Sequence, residues 1–193
     1  MKIQVILGST RPGRITERMA KWAVAEAQKQ ANFEVELVDL ADYAMPFFDE
    51  AISPRYNPNR TINEPAQRFL DKVSAADGYI IVTPEYNHSI PAVLKNIFDY
   101  VDVQFYKKPF LVLSHGSVGG ARAAEHLKVI LLEAGAAVVP KALSMHGASE
   151  LLDAEGNYVG DTSNPYGNDK VIKVVLEDLS WWTETLAAGR AKA

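Results

Sequence analysis

Gly8-Ser9-Thr10-Arg11-Pro12-Gly13-Arg14 follows the apolar run Ile3 to Leu7 and opens a segment with helical spacing. A loop that opens a helix leaves several backbone N–H groups without intrahelical partners, and they point at whatever lies above with the positive end of the helix dipole. Ser9, Thr10 and Thr16 add hydroxyls to that nest, while Arg11 and Arg14 add fixed positive charge that can grip an anion with two parallel hydrogen bonds. Together they predict a cup for a terminal phosphate monoester. The glycine spacing also matches a triphosphate loop, but that chemistry needs Lys followed by Ser or Thr, where Arg14 and Ile15 stand. A dinucleotide is a further alternative, since Asp39 closes the second strand where an acid would hold a ribose, although Gly-x-Gly-x-x-Gly is missing. The plain alternative is a helix cap with solvated arginines.

Two more stretches carry residues of use to a ligand. In Pro84-Glu85-Tyr86-Asn87, Pro84 ends a strand by removing a donor, which frees the next amides to face a planar group. Tyr86 can present a ring face or edge, and Asn87 can both donate and accept. Glu85, in a loop, reads by default as solvated. Ser114-His115-Gly116-Ser117-Val118-Gly119-Gly120 has three glycines among seven residues, as expected where backbone approaches a flat ring without Cβ obstruction. Each stretch taken alone also reads as an ordinary turn.

Other chemistries find little support. The chain has no cysteine, which excludes thiol nucleophiles, disulfides and iron–sulfur ligation. Any redox chemistry must therefore come from a bound cofactor. The four histidines lack zinc-type spacing, so no protein-held catalytic metal is expected, and no catalytic triad or carboxylate pair can be nominated.

The elements that must position these loops alternate along the chain. Lys2 to Leu7 reads as a buried parallel strand, and Ile15, Met19, Trp22, Ala23 and Ala27 recur on one helix face. Phe33 to Leu40 is a second strand, and Glu64 to Ala76 a helix with Asn63 as N-cap. Gly78 to Thr83 is strand three, Pro91 to Val101 a helix, Phe110 to Ser114 strand four and Ala121 to Ala134 a helix ended by Gly135. Ala136 to Val139 with Ala142 to Met145 forms a fifth strand region around Pro140, and Asp169 to Ala188 a last helix. Five strands alternating with five helices predict an α/β fold, a flavodoxin-like doubly wound parallel sheet of order 2-1-3-4-5 with helices on both faces. Ligands bind such a sheet outside the carboxyl ends of its strands where the order reverses, and the three loops leave strands one, three and four there. They should form one site. Ala41 to Ile62, with three prolines, and Gly147 to Asn168 break the alternation as a lid, binding loop or interface arm.

At 193 residues the chain reads as a single domain over 1–193. No apolar run is long enough for a bilayer, the start lacks a secretory signal, and the cytoplasm is the default expectation. A net charge of −4 argues against a nucleic-acid partner. Phe98, Tyr100, Phe105 and Tyr106 form an aromatic cluster suited to a dimer interface, and Trp181 with Trp182 would cover the sheet or a subunit contact.

The three loops, in this order and at these strand ends, resemble those of the NAD(P)H-dependent FMN reductases of flavodoxin-like fold, which include quinone, azo-dye and chromate reductases. The resemblance covers Met1 to Ser149 and rests on Gly8 to Arg14, on Pro84 to Asn87 with Ser89-Ile90-Pro91, and on Gly116, Gly119 and Gly120. It implies FMN as cofactor, with Ser9, Arg11, Arg14 and Thr16 at the phosphate beside Ile15. Pro84, Glu85, Tyr86 and Asn87 would border the isoalloxazine, and His115, Gly116, Ser117 and Gly119 would approach its far side. Arg14 stands where many relatives carry a small hydroxyl residue. The resemblance further implies NADPH or NADH as co-substrate, a small-molecule electron acceptor such as a quinone, ping-pong kinetics with no side chain as acid or base, and a homodimer or homotetramer. A non-catalytic FMN-binding electron carrier or redox-responsive module is the alternative on the same fold.

Overall fold

The structure is a computed structural model that describes residues 1–192. Six strands, β1 (Lys2–Leu7), β2 (Glu34–Asp39), β3 (Gly78–Pro84), β4 (Pro109–His115), β5 (Ala137–Val138) and β6 (Leu143–Met145), build one parallel sheet. Its order is β2-β1-β3-β4-β5, with β6 also pairing β4. The expected fifth strand is thus split in two. Both pieces run beside β4, and Pro140, which has no N–H for the ladder, lies in the gap between them.

The helices are α1 (Thr16–Ala27), α2 (Glu64–Ser74), α3 (Ala92–Tyr100), α4 (Ala121–Glu133), α5 (Ala148–Leu151) and α6 (Asn168–Arg190). Alternate residues along the central strands point to opposite faces, which divides the core in two. Val5, Leu7, Ile80, Val82 and Leu111 meet α1 and α6 through Met19, Trp22, Val175 and Leu179. Ile6, Ile81 and Val112 meet α2, α3 and α4 through Phe69, Ile97 and Leu127. α5, four residues long, is too short to leave a periodic signal. No helix among the described residues is long and apolar enough to cross a membrane.

The aromatic cluster proves to be core rather than interface. Phe105 is fully buried, edge-on to Tyr79 at 5.0 Å and to Phe110 at 4.8 Å, and Phe98 and Tyr100 are buried as well. Burying Phe105 and Phe110 contributes about 1.5–3 kcal/mol each, so the rings are taken up within the subunit. Tyr106 is the exposed member. Trp182 packs half-buried on the α1/α6 side, while Trp181 is exposed.

The 41–62 arm lies along α3, held by Asn96, by the Tyr100 hydroxyl on Pro46 O at 3.2 Å and by Arg60 on Tyr100 O. The amide of buried Asn96 accepts from Phe48 N (2.9 Å) and donates to Pro46 O (2.8 Å), and Phe48 stands edge-on to Tyr100 at 5.2 Å. Asn96→Ala removes both bonds and leaves a backbone donor without its partner, at a cost of about 1–2 kcal/mol. Urea unfolding should register that loss, and limited proteolysis should cut within 43–62 faster than in the wild type.

Strand register sets the level at which the site loops emerge. Leu7 of β1 lies beside Val82 of β3, and Pro84 lies beside His115 of β4. The first, second and third loops therefore leave the sheet next to one another, at the carboxyl edge where the order reverses.

Candidate functional site

The first loop is drawn tight against β3 at its opening glycine. Gly8 N donates to Val82 O at 2.9 Å, and a Cβ on Gly8 would fall 2.8 Å from that oxygen, so no larger residue fits without displacing backbone. Beyond it the chain turns into α1, whose N-cap, Ile15, offers no side-chain bond. The amides of Gly13, Arg14 and Ile15 donate to no atom among the described residues. Three donors at the positive end of a helix make an anion seat.

Of the residues expected at a phosphate, Arg11 alone presents a free charged group. Its guanidinium lies over the Tyr86 ring at 5.7 Å, and it forms no ion pair among the described residues. Arg14 is engaged elsewhere: it donates to Ser9 O at 2.6 Å and pairs with Asp39, and its side chain is only 12% exposed. Asp39 is committed too, because its other oxygen accepts from Ala41 N at 2.9 Å. Both Asp39 oxygens thus already serve the fold, and with Gly-x-Gly-x-x-Gly missing from the loop nothing further favours a dinucleotide. Ser9 is buried, with its Oγ 3.0 Å from the Tyr86 hydroxyl and accepting from Arg11 N at 3.3 Å. Thr16 is buried as well, and its Oγ1 lies 2.9 Å from His115 Nε2.

The second loop closes as a two-residue turn. Tyr86 and Ser89 exchange both backbone bonds, at 2.9 and 3.0 Å, while Asn87 and His88 take φ of 48° and 68° at its exposed tip. Glu85, expected to be solvated, is instead 5% exposed and clamped to α4. It accepts from Arg122 N at 3.1 Å and from Arg122 Nε at 2.6 Å. The Arg122 guanidinium, followed by the amides of the α4 N-terminus, holds its carboxyl below the usual range against the cost of burial.

In the third loop, Ser114 Oγ donates to Gly119 O at 2.9 Å, and Gly120 enters α4 with φ of +77°. A Cβ there would lie 2.8 Å from both His115 N and His115 O, so glycine is required on two counts. His115 is half-buried with no acid beside it, and desolvation alone pushes its imidazole down to about 4.

Arg11 to Thr16, Tyr86 and His115 line one cavity of about 280 Å³. The structure thus brings together one end of all three loops. Ser9, Pro84, Glu85, Asn87, Gly116, Ser117 and Gly119 are not among the residues that line it. The cavity is rich in donors, with three free amides and Arg11, and the nearby Asp39 is already paired. That donor set fits a phosphate monoester such as the end of FMN. Sequence reasoning missed Arg122 and His146 here and read Asp39 as a ribose ligand rather than as the partner of Arg14. Arg122 and Asp39 act as partners of Glu85 and Arg14, and His146 packs so closely that a Cβ on Gly119 would sit 3.1 Å from its ring. None has a local motif.

Comparison with known proteins shows the family. The family described as NADPH-dependent FMN reductase matches residues 1–150. An NAD(P)H-dependent FMN reductase of Schizosaccharomyces pombe is 36% identical over 127 residues, 66% of this chain and 64% of that protein. The chain thus spans just under two thirds of that relative's length. A quinone reductase of Escherichia coli is 33% identical over 156 residues, covering 76% of this chain and 78% of the relative. Among solved structures, the flavoenzyme NAD(P)H:(acceptor) oxidoreductase FerB of Paracoccus denitrificans shares the fold with a TM-score of 0.73 at 23% identity, over 95% of this chain and 97% of its own.

Proposed function

Because the chain belongs to the NADPH-dependent FMN reductase family, we propose that it binds FMN and catalyses reduction of a quinone or other small acceptor by NADPH or NADH. The observation that carries this is the open amides of Gly13 to Ile15 in one cavity with Arg11, which forms no ion pair among the described residues, a seat for one dianion. The bound flavin supplies the hydride chemistry.

The protein's part is to hold and orient. Arg11 and the three amides grip the phosphate. Arg14 and Ser9 act one step back, keeping the loop in shape through Asp39 and Tyr86. Pro84, Tyr86 and Asn87 border the ring on one side, and Gly116, Ser117 and Gly119 on the other, with Glu85 locking the second loop to α4. No side chain is assigned as acid or base. NAD(P)H and the acceptor would use one and the same site in turn, for which ping-pong kinetics are expected. A homodimer or homotetramer accompanies this reading, with exposed Phe47 and Tyr56 of the arm and Val129 and Leu132 of α4 as the apolar contact surface.

The test is spectroscopic and kinetic. Purified protein supplied with FMN should show a flavin spectrum that bleaches rapidly on anaerobic mixing with NADPH or NADH, and initial rates with a quinone should give parallel double-reciprocal lines. A yellow protein inert to both nicotinamides would establish the electron carrier instead.

A further inference from the structure

Thr16 and His115 both border the cavity, yet they cannot serve it in the same way. Thr16 has no exposed surface, 0%, so its hydroxyl does not reach a ligand. That hydroxyl has one partner among the described residues, His115 Nε2 at 2.9 Å. A buried O–H without an acceptor is costly, whereas an oxygen with a spare lone pair costs less. The Thr16 proton therefore points at Nε2, and Nε2 accepts. A neutral imidazole that accepts at Nε2 carries its proton on Nδ1. Nδ1 has no partner among the described residues, and His115 stands in the cavity wall at the end of β4. Burial keeps the ring uncharged at neutral pH, so the tautomer is well defined.

We propose that His115 is a ligand of the anion, donating through Nδ1–H to a phosphate oxygen, and that Thr16 is a positioning residue that fixes the imidazole tautomer. The inference rests on the FMN reading above and deepens it. It exchanges the roles the resemblance implied, which set Thr16 at the phosphate and His115 near the ring. It also adds an uncharged donor, on a ring held against the first residue of α1, to a seat otherwise made of three amides and Arg11.

Three measurements test it. Nitrogen-15 NMR of the flavin-free protein should show His115 protonated at Nδ1 and bare at Nε2. Binding should separate FMN from riboflavin, which lacks the phosphate: His115→Leu should weaken FMN about tenfold and leave riboflavin unchanged, while His115→Asn, which restores an N–H near the Nδ1 position, should recover most of the loss. Thr16→Val should weaken FMN less than His115→Leu does, and adding it to His115→Leu should cost nothing further, because its effect passes through the ring. An Nε2–H tautomer in the wild type overturns the proposal irrespective of how the variants fold. So does an FMN-to-riboflavin affinity ratio untouched by His115→Leu, or additive losses in the double variant. A wild-type protein that binds neither flavin overturns the FMN reading itself, a different result from wild-type binding that His115 does not influence.

Discussion

Arg11→Ala lowers FMN affinity by about 1.5–3 kcal/mol, roughly ten- to hundredfold, and leaves thermal unfolding of the flavin-free protein where it was. The magnitude is that of one charge-assisted contact to a phosphate. The selectivity follows from what Arg11 does in the folded chain: its guanidinium is exposed, pairs with no carboxylate among the described residues and rests on the Tyr86 ring at 5.7 Å, an arrangement worth little to stability at an exposed position. Arg14→Ala gives the opposite pattern. Its guanidinium bridges Ser9 O and Asp39 at 12% exposure, so its removal strands a carboxylate and a carbonyl and lowers unfolding free energy by about 1–3 kcal/mol. Riboflavin, without the phosphate, should bind the Arg11 variant as it binds the wild type. Isothermal titration with both flavins, beside urea unfolding of both variants, separates the two arginines. Equal FMN affinity in Arg11→Ala and wild type would remove Arg11 from the phosphate.

Sequence alone reveals the sheet and its order because these depend on local signals. Runs such as Val5-Ile6-Leu7 and Gly78 to Thr83 are apolar throughout, as strands covered on both faces must be, and the amphipathic spacing of Phe69, Leu70 and Val73 marks a helix without further information. The roles of individual loop residues are less legible, since they depend on partners far along the chain. Arg14 looks like an anion ligand until Asp39, 25 positions on, takes it up. Glu85 looks solvated until α4 brings Arg122 against it, 37 positions away. Composition likewise does not distinguish rings buried within a subunit from rings buried between subunits. That is why Phe105 reads as interface and folds as core. Pro140 announced an interruption, but whether the strand would end or resume beyond it depended on β4 accepting both pieces.

The same half-buried imidazole at the cavity wall makes the flavin-free protein sensitive to mild acid. His115 titrates near 6.5 in an unfolded chain and at about 4 in the folded one, because burial disfavours its charged form. With the folded value depressed, the unfolded state binds the extra proton first. The stabilisation is therefore complete above 6.5 and drains away as pH falls toward 4. The loss comes to about 2 kcal/mol at pH 5 and about 3 kcal/mol at pH 4, a large part of the stability of an ordinary domain. The carboxylates that the fold shifts, Glu17, Glu36 and Glu85 among them, are displaced downward from 4.5, so their contribution is lost at lower pH and the His115 window is nearly clear of them. Urea unfolding between pH 7 and 5 should show the decline in wild type and a markedly shallower one in His115→Asn, which has no ring to protonate. An unfolding free energy that stays level over that interval in the wild type would mean the imidazole can reach water without unfolding, and the donor placed at the cavity wall would then lack the dry setting that keeps it neutral.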